Sequence, residues 1–173
     1  RLTQMTKLDH RVDFVQGDAT RMPLPGHEYD AAISQEAWLH IPDKGAVLSE
    51  CARVLKPGGV LAFTDVVVRQ PLSAHEHERM ANGQRAPDMA TVERYRELLA
   101  AHRFAVESIE DMSVRWTEIL VGRLAMYRGL RDTTVAKFGE ARHAEWDSVY
   151  SLFVGLFEAG KLGGVRILAR TPH

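Results

Sequence analysis

Three short apolar runs within residues 12–67, each followed by polar side chains, constrain the fold of this chain most strongly. Runs of this kind are typical of buried β-strands, and we predict strands at 12–17, 29–34 and 60–68. The polar residues at or near the ends of these runs are Asp18, Ser34, Gln35, Thr64 and Asp65. In an open α/β sheet, ligands bind outside the carboxyl ends of parallel strands. The sequence therefore predicts a ligand site where these polar residues meet.

A helix is predicted between the second and the third of these strands. From Asp43 to Leu55 the apolar residues recur at helical spacing, and Asp43 is placed to cap the first turn. The run Lys56-Pro57-Gly58-Gly59 ends this helix, because proline cannot continue it and glycine frees the backbone to turn. Strand, helix and strand at this spacing predict a βαβ unit with a right-handed crossover.

The second half of the chain is predicted to alternate helices with single strands. A short helix is expected within the polar segment 69–88, and an amphipathic helix at 91–102. Strands are predicted at 105–109 and 165–169. Between these two strands, at about 113–160, the pattern is helical and rich in aromatic residues. We expect these helices to form an insertion that covers the strand ends within one α/β domain.

Composition restricts the partners of this protein. The net charge is −1 with both signs interspersed, which gives no long-range field that would favour nucleic acid or an anionic membrane. No apolar run approaches the roughly 20 residues that a membrane span needs. A single cysteine, Cys51, suits a reducing compartment, and its place on the apolar face of a helix predicts a buried thiol. We therefore expect a cytoplasmic protein that binds neither nucleic acid nor membrane.

The segment 12–67 resembles the S-adenosylmethionine-dependent methyltransferases of the class I fold, of methyltransferase type 11. The resemblance rests on Gly17-Asp18-Ala19, on Tyr29-Asp30 and on the run from Arg53 to Gly59. It implies a Rossmann-like, mostly parallel sheet in the strand order 3-2-1-4-5-7-6, of which this chain would supply strands 3 to 7. The first strands and the glycine-rich loop of that fold would then precede Arg1.

Within this family the chain looks most like the sarcosine/dimethylglycine N-methyltransferases. The segments that carry this likeness are Ser34-Gln35-Glu36-Ala37, Leu39-His40, Pro42-Asp43, Glu50-Cys51-Ala52-Arg53, Thr64-Asp65 and Gly160-Lys161-Leu162. The chain departs from those relatives at Val66-Val67, where they have a proline, and at Gly164-Val165, where they have a Trp-Gly pair. The likeness implies a small amine as the methyl acceptor.

The resemblance also implies residues that bind S-adenosylmethionine. Asp18 would accept a hydrogen bond from the adenine amino group, with Gly17 and Ala19 beside it. Ser34 and Gln35 would lie along the methionine part. Structural alternatives remain for the same residues, because Asp18 could cap a helix and Ser34 and Gln35 could form a turn.

His40 and Glu36 are the candidate catalytic residues. An ordinary imidazole titrates near neutrality, so His40 could accept a proton from a hydroxyl nucleophile. Glu36 could accept a hydrogen bond from an amine. A structural role for His40, as a helix cap or in packing against Trp38, is an equal alternative.

Candidate acceptor-binding residues come from the segments expected to surround the site. They are Trp38, Arg69, Arg115, Trp116 and Tyr127. The arginines would bind a carboxylate on the acceptor, and the aromatic rings would form a wall that attracts a cation. At helical spacing aromatic residues more often belong to the core, and an exposed arginine is more often solvated.

The same sequence is compatible with other functions. O- or C-methylation of a quinone-like or natural-product-like acceptor would need an apolar pocket, for which Trp38, Trp116, Tyr127 and Phe153 are candidates, with His40 as base. A non-catalytic protein that pairs through an exposed sheet edge is a further alternative, and a homodimer fits either. His75 and His77 have no further ligands at metal spacing, so we expect no metal site. No nucleophile elbow surrounds Ser73 or Ser151, which disfavours a hydrolase.

Overall fold

A computed structural model describes residues 5–8 and 10–173. Among these residues, the named elements are four strands, six α-helices and a short 3-10 helix at Trp38–His40, in an α/β arrangement. The strands are β1 (Tyr29–Gln35), β2 (Leu55–Val68), β3 (Ala105–Asp111) and β4 (Leu162–Arg170). The helices are α1 (Lys44–Val54), α2 (Ala74–Gly83), α3 (Val92–Ala101), α4 (Ser113–Gly129), α5 (Arg131–Phe138) and α6 (Glu140–Glu158).

The strands form one sheet in the order β1-β2-β4-β3. β1 pairs with β2 in parallel, with Ser34 opposite Phe63, and β4 pairs antiparallel with both β2 and β3. Three of the four strands therefore run in the same direction, and β4 alone is reversed. This order is the 4-5-7-6 part of the expected sheet, so the predicted Rossmann-like, mostly parallel architecture is confirmed.

The prediction of a strand at 12–17 is wrong. The segment has no regular secondary structure, and the Phe14 side chain is 81% exposed. A strand needs a neighbouring backbone to satisfy its N–H and C=O groups. Among the described strands, β1 lies at one edge of the sheet and leaves Ile33 84% exposed, but segment 12–17 does not pair with it.

The helix before β2 forms as its sequence predicts. The Asp43 side chain accepts a hydrogen bond from the backbone N–H of Ala46 at 2.8 Å, which caps α1. The apolar face of α1 packs against the sheet in a core that includes Val47, Leu48, Cys51, Leu61, Phe63, Tyr95, Leu99, Val165 and Ile167. Burial raises the pKa of the Cys51 thiol to about 11, so this cysteine is the buried apolar residue that the helix pattern predicted.

Thr64 and Asp65 do not end their strand, because β2 continues to Val68. Asp65 is fully buried and accepts hydrogen bonds from the Leu39 backbone N–H and from the Tyr95 hydroxyl. Burial raises the pKa of this carboxyl, and the two donors offset part of that effect. Asp65 thus joins β2 to α3 and to the 3-10 helix inside the core, away from any ligand site.

Helices α4, α5 and α6 occupy residues 113–158 between β3 and β4. Helix α4 approaches β4 closely because Gly163 and Gly164 carry no side chain there. A Cβ atom on Gly164 would lie 2.3 Å from Cε3 of Trp116, and one on Gly163 would lie 2.3 Å from Oγ of Ser113. The two glycines therefore set the distance between the helical insertion and the sheet.

None of the helices among the described residues is long and apolar enough to cross a membrane.

Candidate functional site

The backbone at the end of β1 turns through an uncommon conformation at Glu36. This residue has a φ of 47°, in the left-handed region that side chains other than glycine rarely adopt. Its backbone N–H donates to the Thr64 carbonyl at 2.8 Å, and its carboxylate accepts from the Thr64 hydroxyl at 3.2 Å. Such strain costs on the order of 1–3 kcal/mol and is concentrated at functional sites.

His40 follows at the end of the 3-10 helix. Its Nδ1 atom lies 2.9 Å from the backbone carbonyl oxygen of Arg85. A carbonyl can only accept a hydrogen bond, so Nδ1 carries the hydrogen in this contact. In the neutral ring Nε2 is then an acceptor. Because the side chain is exposed, His40 is oriented in the way that a general base requires.

Glu36 and His40 open onto one cavity of about 320 Å³, here called the strand-end cavity. It is lined by Gln35, Glu36, Leu39, His40, Val66, Gln84, Trp116, Ile119, Leu120, Arg123, Tyr150 and Phe153. Four predicted site residues therefore meet here: Gln35, Glu36, His40 and Trp116. Helices α4 and α6 supply much of the rest of the wall, as expected for an insertion that covers the strand ends.

A second cavity, the helical cavity, has a volume of about 500 Å³. Its lining residues are Asn82, Gly83, Gln84, Arg85, Arg123, Met126, Tyr127, Arg142, Glu145, Trp146, Val149 and Tyr150. Tyr127 lies here, where its hydroxyl donates to the His143 carbonyl at 3.1 Å and its ring stacks on the His143 ring. Tyr127 thus lines the helical cavity and Trp116 lines the strand-end cavity, so the two rings of the predicted aromatic wall lie in different cavities.

A third cavity, of about 360 Å³, lies beside β1 and is here called the β1 cavity. Ala19 and Ser34 line it, together with mainly apolar side chains of β1 and α1. Trp38 also borders this cavity but is only 4% exposed, and its ring lies 4.2 Å from the Phe63 ring. Trp38 is a core residue that does not reach the strand-end cavity, which differs from its predicted acceptor-binding role.

Asp18 lies on an exposed turn, directly before Ala19 of the β1 cavity. Its Oδ1 atom accepts from the backbone N–H and from the hydroxyl of Thr20, each at 2.8 Å. These hydrogen bonds lower the pKa of the Asp18 carboxyl, which favours the ionised form. Gly17 packs against Pro23, because a Cβ atom there would lie 2.5 Å from Cδ of Pro23. The turn is therefore built by local contacts, with an ionised carboxylate at its surface.

Neither predicted arginine lines the strand-end cavity. Arg69 forms an ion pair with Asp111 at 3.3 Å and lines a different cavity, of about 570 Å³, beside the ends of β2 and β3. Arg115 is exposed on α4 and lines none of the four cavities described here. Arg123 reaches the strand-end cavity instead. The signal in the sequence was its position seven residues after Trp116, which places both on one helical face.

Among residues 5–8 and 10–173, no group of three or more His, Cys, Asp or Glu side chains could hold a metal ion. His75 and His77 lie on α2, whose first turn is closed by a capping box between Ser73 and Glu76.

Comparison of the sequence with known proteins shows which proteins this chain is similar to. Residues 1–63 match the family described as methyltransferase domain. The chain is 30% identical over 168 residues to the 27-O-demethylrifamycin SV methyltransferase of Amycolatopsis mediterranei, covering 95% of this chain and 61% of that protein. This chain is thus similar in sequence to methyltransferases. It is also 30% identical over 129 residues to the phosphoethanolamine N-methyltransferase of Triticum aestivum, covering 75% of this chain and 25% of the relative.

The fold agrees with that similarity. The crystal structure of a putative sarcosine dimethylglycine methyltransferase from Galdieria sulphuraria superimposes with a TM-score of 0.89. The two chains are 23% identical, and the match covers 99% of this chain and 63% of the other. The class I methyltransferase fold is thus confirmed. The chain spans less than two thirds of the length of each of these three proteins.

Proposed function

We propose that this protein transfers a methyl group from S-adenosylmethionine to a small-molecule acceptor that binds in the strand-end cavity. The observation that carries the proposal is the convergence of Gln35, the strained Glu36 and the oriented His40 on one cavity beside the end of a parallel strand. Ligands of open α/β sheets bind at such strand ends. The methyltransferase relatives supply the reaction class.

The residues beside β1 fit the proposed cofactor. The β1 cavity offers an apolar space lined by Ala19 and Ser34, suited to a flat heterocycle. Thr20 keeps the Asp18 carboxylate ionised, and a carboxylate is a natural acceptor for an exocyclic amine. Asp18, Ala19, Ser34 and Gln35 would hold the cofactor, and Gly17 would shape their turn. When bound, S-adenosylmethionine supplies an electrophilic methyl group on a sulfonium.

His40 suits an acceptor whose nucleophile is a hydroxyl or an acidic C–H. Its Nδ1 hydrogen is committed to the Arg85 carbonyl, so Nε2 is the atom that accepts the proton of the acceptor. Leu39, Val66, Leu120 and Phe153 supply apolar walls beside these groups. Positioning of the nucleophile in such a site can supply several kcal/mol of the barrier.

Glu36 supports a second acceptor chemistry, N-methylation of an amine. Its carboxylate lines the same cavity as the Trp116 ring, and it can accept a hydrogen bond from an amine and direct the lone pair. This was the acceptor class that the sarcosine/dimethylglycine likeness implied. A carboxylate on that amine would need a cation, and neither Arg69 nor Arg115 lines this cavity.

Isothermal calorimetry with S-adenosylmethionine and S-adenosylhomocysteine tests the cofactor. The protein should bind both, and Asp18→Ala should weaken binding at least tenfold through the lost acceptor. Asp132→Ala is the matched control, because Asp132 is exposed on α5 and lines none of the four cavities. An intact protein that binds neither compound would overturn the proposed function.

A further inference from the structure

The strand-end cavity and the helical cavity are adjacent. Gln84, Arg123 and Tyr150 line both of them, so these three side chains form a shared border. The strand-end cavity, of about 320 Å³, already falls in the range of about 300–1,000 Å³ that is typical of small-molecule sites. The further 500 Å³ of the helical cavity exceeds what a small amine would use.

The helical cavity is lined by apolar and aromatic side chains and by three arginines. Its apolar surface comes from Met126, Tyr127, Trp146, Val149 and Tyr150. Of its three arginines, Arg142 forms an ion pair with Glu145 at 2.9 Å. Among the described residues, neither Arg85 nor Arg123 has a carboxylate partner within ion-pair distance. The cavity therefore carries positive charge that the protein does not neutralise.

Arg123 lies at the border between the strand-end cavity and the helical cavity. It lies on α4 seven residues after Trp116, on the helical face that meets the strand-end cavity. Burial raises the pKa of the Tyr150 hydroxyl, and the adjacent Arg123 guanidinium opposes that rise. Arg123 is exposed, and its guanidinium lies beside the Tyr150 phenol where the two cavities meet. There its planar fork of donors can bind an anionic group with two parallel hydrogen bonds.

We infer that the acceptor is an extended, largely apolar molecule that carries an anionic group, and that Arg123 binds this group at the border between the two cavities. This inference rests on the proposed function. The end that accepts the methyl group lies by Glu36 and His40, and the apolar body extends into the helical cavity between α4 and α6. Arg123 is accordingly a specificity-determining residue of the acceptor site, and a compact amine fills only part of the available space.

Three simple probes separate charge from length in a calorimetric experiment on the intact protein. They are octanoate, octan-1-ol and butanoate. Octanoate should bind about tenfold or more tightly than octan-1-ol, because only the former offers an anion to Arg123. It should also bind more tightly than butanoate, because only the longer chain buries its tail in the helical cavity.

Variants test whether Arg123 causes the charge preference and whether the helical cavity causes the chain-length preference. Arg123→Gln should abolish the preference for octanoate over octan-1-ol, whereas Arg115→Gln, on the same helix but outside both cavities, should preserve it. Met126→Trp narrows the helical cavity at a residue that is 61% exposed, so folding should tolerate it. This variant should reduce the advantage of octanoate over butanoate. Thermal melts of each variant verify that it is folded.

Binding of S-adenosylhomocysteine is measured in the same variants. It distinguishes a failure of the acceptor inference from a failure of the proposed function. If the cofactor product binds but the octanoate preference is absent or survives Arg123→Gln, the inference about the acceptor is overturned and the proposed function stands. If the cofactor product does not bind to the folded protein, the proposed function fails, and the acceptor inference fails with it. Normal cofactor binding in Arg123→Gln, with the octanoate preference lost, supports both.

Discussion

At the residue scale, His40 and Arg123 owe their proposed roles to partners far away in the chain. His40 takes its tautomer from the carbonyl of Arg85, and Arg123 meets Tyr150 on another helix. The sequence indicated His40 by its residue type and its place after β1. The seven-residue spacing placed Arg123 on the helical face of Trp116. The sequence did not show that Arg69 has a carboxylate partner and that Arg123 has none among the described residues, because this depends on the packing of separate elements.

The proposed base can be tested by its effect on the pH profile. With a hydroxyl acceptor, His40→Ala should lower kcat about 100-fold or more and flatten the rise of kcat with pH. The measurement is kcat against pH with saturating acceptor. His77→Ala, at an exposed histidine of α2, should leave the profile unchanged. A His40→Ala enzyme with wild-type kcat would exclude a role as base.

At the scale of elements, the insertion depends on contacts at its two ends. Helix α4 rests on the glycine pair of β4, and Lys161, just before β4, pairs with Glu76 in the first turn of α2. The sequence predicted a short helix within 69–88 and a helical, aromatic-rich segment at about 113–160. It did not predict how they approach the sheet, because the space above Gly163 and Gly164 is defined by side chains about 50 residues earlier in the chain.

Gly164→Ala should push Trp116 and α4 away from β4. The added methyl group would overlap the indole, and such overpacking costs about 1–3 kcal/mol in the free energy of unfolding. Because Trp116 lines the strand-end cavity, KM for the acceptor should also rise. Gly155→Ala is the control: it has open space on α6 and should stabilise by roughly 0.5–1 kcal/mol. Equal denaturation midpoints for the two variants would contradict this account.

The Glu76–Lys161 pair predicts a dependence of stability on pH. Hydrogen bonds from Lys161 and from the Ser73 backbone lower the pKa of Glu76 from 4.5 to about 2. A carboxyl with a depressed pKa in the folded state stabilises the protein above its unfolded-state pKa, and this contribution is lost as the pH falls towards the folded-state pKa. Glu76→Gln should therefore lower Tm at neutral pH and match the wild type near pH 2.

Glu78→Gln serves as the reference for this measurement, because Glu78 is exposed on the same helix. Its Tm should follow that of the wild type at every pH. A constant difference between Glu76→Gln and the wild type from neutral to acid pH would show that the ion pair does not account for the lowered stability.

At the scale of the whole molecule, the described sheet has two edge strands, β1 and β3. β1 pairs with β2 on one side only and leaves the Ile33 side chain 84% exposed. An exposed apolar edge strand is a template for pairing with another chain. The homodimer stays a prediction. In the class I strand order the β1 edge adjoins strand 1, so pairing with a second copy at this edge is expected of the 173-residue chain on its own.

Self-association of the 173-residue chain should therefore depend on Ile33. Ile33→Lys places a charge on the edge and should shift the weight-average mass in sedimentation equilibrium towards the monomer. Val114→Lys makes the same change at a side chain that is 78% exposed on α4, away from the edge, and should have no such effect. If both variants associate as the wild type does, the β1 edge is not the contact surface.

The sequence by itself determined the identity and order of most elements: β1, the Asp43-capped α1, β2 after the proline and glycine turn, and the helical insertion. It also determined that Gln35, Glu36 and His40 follow a strand end. These features depend on periodicity, capping and turn residues, which act between neighbours in the chain. For the same reason the resemblance to methyltransferases could be recognised from short local motifs.

Only the tertiary structure decided which side chains share a cavity. It left segment 12–17 outside the sheet, buried Trp38 against Phe63, and enclosed Asp65 in the core. It also placed Tyr127 and Trp116 in different cavities and brought Arg123 to the border between them. Each of these outcomes depends on contacts between residues distant in sequence, and local patterns carry no information about them because packing and pairing partners are chosen by the fold as a whole.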